Sequence, residues 1–291
     1  MQRSLQTLQR CFCVLPPPIV LLVLNTETTM QNYKQLIQSH FSVEVFMIRV
    51  TWLIMVIVFL LASCHDNPGN PTGGSPSING LLKGNPNPGV LPPGSRPYGK
   101  TYGEWGATWE QWALAIPLAQ SPLLDTTGAY CGVGQSGQVW FLSPHISQPV
   151  TRSCTVPAGK SIFFPIIAYI NDFPCPDTSF HPAPGQTLEE FLAQGAAFFI
   201  DQTNELEVEV DGVALRDLFD YRAASRLFTF TGDLSLQVLD PCITGTPQDG
   251  VVDGYWIMLT PLPVGQHTLH FRSTIFGLEF NTTYNLTVVA P

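Results

Sequence analysis

The stretch Ser161–Ala168, SIFFPIIA, is apolar at almost every position, and Gln138–Ser143 (QVWFLS) and Tyr255–Thr260 (YWIMLT) have the same character. A strand with one face in water alternates apolar and polar residues, whereas a strand covered on both faces does not. All three segments have the length of strands and contain β-branched or aromatic residues. They predict strands of a sheet that is covered on both faces.

Other segments predict the remaining strands. Glu205–Asp211 (ELEVEVD) alternates strictly, so it predicts a strand with one wet face, and the Asp211-Gly212 turn follows it. Further strands are predicted over Leu227–Thr231, Gln266–Ser273 and Thr283–Val289. The predicted fold class is mostly β, an antiparallel β-sandwich of jelly-roll-like form, with a closed barrel as the alternative.

Two helices are predicted by their capping boxes, in which a threonine and a glutamate three residues later bond to each other's backbone amides. Thr101 and Glu104 form one such pattern, and this helix ends before Pro117. Thr187 and Glu190 form the other. We expect both helices to pack on an outer face of the sandwich.

The first helix carries Trp105, Trp109 and Trp112 at positions i, i+4 and i+7, so the three rings share one face. A row of this kind could stack on sugars, or it could attach the helix to the sheet. Each ring buries a large area when it packs, and Ile116 is the only other residue of the apolar stripe. We therefore predict that the three tryptophans are buried.

The segment from Met47 to Cys64 has the features of a bacterial lipoprotein signal. Arg49 is followed by the apolar run Trp52–Ala62, and Leu61-Ala-Ser-Cys64 resembles the lipobox, whose cysteine is lipidated and becomes the mature N-terminus. The apolar run is shorter than the roughly 20 residues that a transmembrane helix needs. We predict a signal peptide over 47–63, a lipid anchor on Cys64 and a native start at Met47.

The rest of the chain divides by composition. Residues 1–46 are predicted to be an over-extended N-terminus rather than native structure, and a signal-anchor helix over Val45–Ala62 is the alternative. Residues 64–97 hold the lipidated cysteine and a linker rich in Pro, Gly, Asn and Ser, which cannot bury enough apolar surface to fold. Residues 98–291 are predicted to form a single β-sandwich domain.

The charge of the chain bears on its partners. The formal net charge is −9, and the acidic excess grows once residues 1–63 are left out, which argues against nucleic acid as a partner. The segment Gly132–Gly137 matches the dinucleotide pattern G-x-G-x-x-G, but a strand rather than a helix follows it. The acidic face of Glu205, Glu207 and Glu209 is interpreted as a solvated strand face rather than a calcium site. No metal, nucleotide or other cofactor is expected.

Four cysteines of the predicted domain, Cys131, Cys154, Cys175 and Cys242, indicate two disulfides in an exported protein. Three connectivities are possible. We favour Cys131–Cys154 and Cys175–Cys242, because the first pair brackets a predicted hairpin. A zinc site is the rival interpretation, but this part of the chain has no C-x-x-C spacing, and an oxidising compartment disfavours thiolates.

Five blocks in order resemble a family of bacterial exported proteins and lipoproteins. They are YGEWGATWEQWALAIP (102–117), PLLDTTGAYCGVGQSGQVWFL (122–142), TVPAGKSIFFPI (155–166), DGYWIMLTPLPVGQHTLHF (253–271) and TYNLTV (283–288). The resemblance implies export and brings no activity with it. It implies only that a set of residues lies in or directly beside the motif blocks: Glu104, Trp105, Trp112, Cys131, Gln135, Cys154, Asp253 and His267.

The polar residues of these blocks, Glu104, Gln135, Asp253 and His267, are the candidate site residues. His267 and His270 are three apart on a predicted strand, so they point to opposite faces and cannot share a metal. We expect a lipoprotein anchored in the bacterial cell envelope, at the outer membrane or cell surface. Its domain is expected to be a non-catalytic binding module that presents loops to a glycan or an envelope protein. The alternative is an extracellular hydrolase acting on a polymer, which would bring the candidate residues together in one polar cleft.

Overall fold

The computed structural model describes residues 85–290, and ten strands form two five-stranded sheets within this range. The strands are β1 Val139–Phe141, β2 Val150–Pro157, β3 Ser161–Phe173, β4 Thr203–Val210, β5 Val213–Ala214, β6 Arg222–Ala224, β7 Phe228–Phe230, β8 Gln248–Leu259, β9 Gly265–Ile275 and β10 Leu278–Val289. Two helices accompany them, α1 Tyr102–Ala115 and α2 Leu188–Ile200. The predicted signal peptide, Cys64 and residues 65–84 of the predicted linker lie outside the described residues. Residues 85–97 of that predicted linker instead pack on the domain, where Asn87 and Val90 are buried and Val90 pairs with Leu259.

The first sheet has the order β1-β3-β8-β6, with β7 also paired to β8, and the second has the order β2-β10-β9-β4-β5. Most pairs are antiparallel, including the long central pairs β3 with β8 and β9 with β10. The pairs β1 with β3 and β2 with β10 are parallel. Strand β2 lies in the second sheet, so the chain leaves the first sheet after β1. It re-enters that sheet at β3, which runs parallel to β1. The mostly β sandwich is confirmed, and its sheets are mixed rather than purely antiparallel.

Aromatic and aliphatic side chains of the central strands fill the space between the two sheets. The rings of Phe164 on β3 and Phe271 on β9 have their centroids 4.8 Å apart. Ser273 Oγ on β9 donates a hydrogen bond to the carbonyl of Ile166 at 3.2 Å. All four residues are buried. One face of β3 is therefore covered by the second sheet.

Helix α1 covers the opposite face of the first sheet, as the apolar character of β3 and β8 predicts. Phe163 and Trp256 stack on that face with centroids 5.3 Å apart, and Trp109 meets Trp256 edge-on at 5.9 Å. Trp105, Trp109 and Trp112 are 9%, 3% and 8% exposed. The prediction that the three tryptophans pack in the core is confirmed.

Each indole of α1 also has a hydrogen-bond acceptor, which a buried N–H group requires. The acceptors are backbone carbonyls of segments outside the helix. Trp105 Nε1 donates to Pro97 O, Trp109 Nε1 to Leu142 O and Trp112 Nε1 to Val133 O, each at 2.9 Å. The tryptophans therefore fix the segment before α1 and the loops around β1 as well as the helix itself.

Helix α1 lies so close to the first sheet that two of its positions have no room for a side chain. A Cβ added at Gly106 would lie 2.8 Å from Trp256 Cζ2. A Cβ added at Gly103 would lie 2.1 Å from the carbonyl oxygen of Ala224, at the end of β6. A backbone carbonyl cannot rotate away as a side chain can. Gly103 therefore sets the distance between α1 and β6.

Both predicted capping boxes are present. Thr101 and Glu104 begin α1, and Thr187 and Glu190 begin α2. Helix α2 packs against β3 and β8, and Phe199 stacks on Tyr169 of β3 with ring centroids 4.0 Å apart. Among the residues that the structure describes, no helix has the length and apolar character needed to cross a membrane.

The two predicted disulfides, Cys131–Cys154 and Cys175–Cys242, are both formed. The hairpin that favoured the first pair is absent, because β1 and β2 lie in different sheets. Cys131–Cys154 instead ties the glycine-rich loop before β1 to β2 in the second sheet. Cys175–Cys242 ties the segment after β3 to the loop before β8.

Replacing Gly103 with Ala is expected to lower the free energy of unfolding by about 2 kcal/mol or more, because α1 has to move away from β6. Gly132→Ala is the matched control, since a Cβ at Gly132 meets no atom within 4 Å. Its stability is expected to stay within about 0.5 kcal/mol of wild type. Urea unfolding followed by tryptophan fluorescence measures both variants. Equal stability of the two would contradict the close docking of α1.

Candidate functional site

Two aspartates from distant parts of the chain come together beside the first sheet, and a glutamate on α1 interacts with both of them through its charge. Glu110 lies on α1, Asp172 near the end of β3, and Asp240 in the loop before β8. The side chains of Asp172 and Asp240 are hydrogen-bonded, and their carboxylate oxygens lie within 4.8 Å of each other and of Cys242 Sγ. Glu110 interacts electrostatically with both. We call Glu110, Asp172 and Asp240 the acidic cluster.

Two features of the fold assemble the acidic cluster. The Cys175–Cys242 disulfide joins the segment after β3 to the loop before β8, and Asp172 and Asp240 lie three and two residues before those cysteines. The amide of Cys242 also donates to Asp240 Oδ1 at 2.9 Å, which orients the carboxylate. Glu110 lies on α1, which packs against β8, and it interacts electrostatically with both aspartates.

One neutral side-chain amide, that of Gln248, donates a hydrogen bond to the cluster. Gln248 Nε2 on β8 donates to Asp172 Oδ2 and, at 3.1 Å, to Cys242 O. Its Oε1 accepts from the amide and the hydroxyl of Thr244 at 2.8 and 3.0 Å, so the orientation of the Gln248 side chain is fixed. The pKa of Glu110 is shifted by burial and by the charges of Asp172 and Asp240, with no hydrogen bond among the causes.

Burial controls the protonation of the cluster. Glu110 is 5% exposed and Asp172 is 4% exposed. Burial raises the pKa of Glu110 to about 8, and the like charges of Asp172 and Asp240 add to it. Burial, followed by the charge of Asp240, also raises the pKa of Asp172 well above its ordinary value. No positive side chain among the described residues opposes either shift. At neutral pH the cluster therefore holds protons that solvated carboxylates would lose.

Carboxyl groups packed together in a low dielectric can either keep protons or take up a cation. The Sγ atom of Cys242 is part of a disulfide, so it offers no thiolate to a metal. The ligand atoms of the cluster are oxygens, the atoms that hard cations prefer. The same carboxylates act on Tyr169, whose pKa is raised to about 12 by burial first and then by Asp240 and Asp172.

The first two candidates from the sequence have local structural roles. Glu104 belongs to the capping box of α1 and pairs with Arg96 at 3.3 Å, and half of its side chain is exposed. Gln135 lies in the glycine-rich loop before β1. Its Nε2 donates to the carbonyls of Cys131 and Phe141, and its Oε1 accepts from the amide of Phe141. Gln135 thereby fixes the conformation of that loop.

The other two candidates belong to ion pairs at different places. Asp253 on β8 is buried and accepts from Arg222 Nη2 at 2.7 Å, and Arg222 also pairs with Asp201 at 2.6 Å. His267 Nδ1 lies 2.7 Å from Asp211 Oδ2, and Nε2 lies 2.9 Å from a backbone carbonyl. Burial lowers the pKa of His267, but these two hydrogen bonds outweigh it, so the pKa is raised.

No hydrogen bond or ion pair within the described residues joins any two of Glu104, Gln135, Asp253 and His267, and none of the four belongs to the acidic cluster. The sequence did contain a signal for part of the cluster. Once Cys175 is paired with Cys242, an acidic residue shortly before each cysteine is brought close to the other. Glu110 had no such signal, because its burial follows from the docking of α1.

Comparison of the chain with protein-family models, with curated proteins and with solved structures gave no match. The resemblance to a family of bacterial exported proteins therefore stays a prediction. Functional conclusions rest on the residues and geometry described above.

The raised pKa values predict that the stability of the domain falls as the pH rises. Between about pH 4 and about pH 8 the folded protein binds more protons at Glu110 and Asp172 than the unfolded chain does, so the free energy of unfolding decreases with pH. We expect a decrease of about 1–2 kcal/mol per pH unit in this window. Urea unfolding over this pH range measures the free energy of unfolding. A chelator in the buffer removes metal ions, so that only proton binding changes with pH.

Asp172→Asn tests the assignment. The asparagine can still accept from Gln248 but cannot titrate, so the slope against pH should fall by about half. Glu209→Gln, which changes an acid on β4 far from the cluster in the fold, is the control and should keep the wild-type slope. Identical slopes in Asp172→Asn and wild type would contradict the assignment.

Proposed function

We propose that the protein is an exported bacterial lipoprotein, held at a membrane of the cell envelope by a lipid on Cys64, whose sandwich domain is a non-catalytic binding module. The observation that carries the proposal is the pair of disulfides, Cys131–Cys154 and Cys175–Cys242. Disulfides persist in oxidising compartments outside the cytosol. They support the export signal over 47–63 from an independent part of the chain.

The linker and the residue after the anchor support a position at the cell surface. The composition of residues 65–84, rich in Pro, Gly, Asn and Ser, is typical of a linker that holds a domain clear of a membrane. His65 rather than Asp follows Cys64, and by resemblance to lipoprotein sorting rules this favours the outer membrane in a host that has one. The module then presents its loops to a glycan or to another envelope protein.

The alternative is a hydrolase that acts on a polymer, and the raised pKa values in the acidic cluster are the observation in its favour. A polymer has to reach the acid that protonates it. Glu110 and Asp172 are almost completely buried. Their burial favours the binding module over the hydrolase.

Replacing Cys64 with Ala is expected to abolish lipid attachment, so the protein either leaves the membrane fraction or accumulates with residues 47–63 uncleaved. Fractionation of cells with metabolic labelling by a fatty acid measures both. Cys11→Ala is the matched control and should change nothing, because residues 1–46 are proposed not to be translated.

Membrane association and labelling that are unchanged in Cys64→Ala would overturn the anchor. Loss of labelling in Cys11→Ala would overturn the start at Met47.

A further inference from the structure

We propose that the domain holds one small monovalent anion of the size of chloride, bound by the Nε and Nη2 groups of Arg152. The inference goes beyond the proposed binding module and does not depend on the lipid anchor. It rests on the contacts of one buried guanidinium and on the groups that surround it.

Arg152 lies on β2 and points into the sandwich. It is 1% exposed, which is rare for an arginine. Its Nη1 donates to the carbonyl of Ser143 at 2.8 Å and to the hydroxyl of Tyr284 at 2.7 Å. Both acceptors are neutral. The hydrogen bonds of Nη1 therefore leave the positive charge of Arg152 without a counter-charge.

The other two nitrogens of Arg152 have no hydrogen-bond partner among the described residues, and both are shut off from solvent. The N–H groups of Nε and Nη2 lie on the same edge of the planar guanidinium. That edge binds an anion through two hydrogen bonds at once. Buried N–H groups almost always have a partner, and a buried charge needs one of opposite sign. One anion at this edge supplies both.

His145 is the other basic side chain of this region, and it is neutral. Its Nδ1 accepts from the backbone amides of Ser147 and Gln148 at 3.2 Å each, so this nitrogen carries no proton. Burial, followed by the charge of Arg152, also lowers the pKa of His145. Arg152 is therefore the charged member of the pair.

Asp125 is a buried carboxylate of the same region, and its charge acts on His145 and on Tyr284. Its oxygens accept three hydrogen bonds from backbone amides and one from a hydroxyl of the loop that follows it. The donors are Thr127, Gly128 and Tyr130. None of these bonds involves Arg152. The carboxylate of Asp125 holds its own loop and leaves the guanidinium edge to another anion.

The surroundings of Arg152 select a small ion. Its guanidinium lies over the ring of Tyr284, 5.5 Å from the centroid, and that ring stacks on Phe271 in the core. Because both free nitrogens are shut off from solvent, a sugar chain or a peptide cannot reach them. A single ion enters when residues 142–149, the segment between β1 and β2, open locally. One monovalent anion matches the one positive charge.

Other arginines of the domain show the contrast. Arg222 donates through Nε and Nη2 to the carboxylate of Asp253, at 3.1 and 2.7 Å. Arg272 on β9 is paired with Glu205 and Glu207 at 3.0 and 3.1 Å. Both guanidinium groups have their counter-charge within the chain. Arg272 therefore gives the experiment a control on the same sheet as Arg152.

The full-length chain, purified in detergent, is unfolded by heat in sodium chloride and in sodium gluconate, with tryptophan fluorescence as the signal. Gluconate is too large for the site, and an equal ionic strength of about 0.1 M keeps the screening of surface charges the same. We expect the unfolding temperature to rise with chloride along a saturation curve. At about 100 times the Kd it should exceed the value in gluconate by about 5 °C or more.

Arg152→Met removes the charge and keeps a long side chain, so the difference between the two salts should disappear. Arg272→Met is the matched control and should keep the whole difference, because the guanidinium of Arg272 already has its carboxylates. Near-UV circular dichroism checks that both variants are folded.

Crystals of the wild-type chain grown with bromide in place of chloride give a readout that needs no variant. Bromide scatters anomalously, so we expect an anomalous peak within hydrogen-bonding reach of both Nε and Nη2 of Arg152.

Equal unfolding temperatures of the wild-type chain in chloride and in gluconate would overturn the proposal, and so would a chloride effect that persists in Arg152→Met. A crystal without a bromide peak at this edge would overturn it as well, by showing that water or no ligand lies there. These results concern Arg152 alone, since anchoring at Cys64 is measured separately in cells.

Discussion

The close approach of α1 to the first sheet is the constraint on which the rest of the domain depends. Gly103 lies so near the carbonyl of Ala224 that no side chain fits between them. This distance lets two tryptophans of α1 pack against the rings of Phe163 and Trp256, and the third packs against Phe141. All three indoles reach carbonyls of neighbouring segments. The same approach buries Glu110. The most apolar contact of the domain therefore places an ionisable group in its interior.

The Cys175–Cys242 disulfide supplies the other half of the acidic cluster by bringing Asp172 and Asp240 together. Desolvation and mutual repulsion then make the fully ionised cluster unfavourable. Protons relieve it, so the stability of the domain depends on pH.

The sequence was sufficient for the parts of the fold that depend on local patterns. The apolar segments around Phe163 and Trp256 became strands covered on both faces, and both capping boxes begin helices. Strand β2 was not predicted from the sequence. Its outward positions are polar, and its parallel pairing with β10 joins segments more than 100 residues apart. The disulfide partners were predicted correctly, although the hairpin used to choose them does not exist.

The acidic cluster could not be predicted from the sequence, because it too depends on contacts between distant parts of the chain. Glu110 is a single acid in an apolar helix, and only the tertiary docking of α1 decides that it faces the interior. The candidates chosen from motif blocks, such as Asp253 and His267, instead form local ion pairs that hold strands and turns together. Asp253 is buried as well, but it is paired with Arg222, so burial without a positive partner is the property that makes Glu110 unusual.

The most direct test of this account is the titration of the Glu110 side chain itself, followed by the carbon-13 shift of its carboxyl group in metal-free solution. The account predicts a midpoint at about pH 8. A midpoint close to 4.5, the ordinary value for a glutamate, would contradict it by showing that Glu110 is solvated and that α1 does not carry it into the interior.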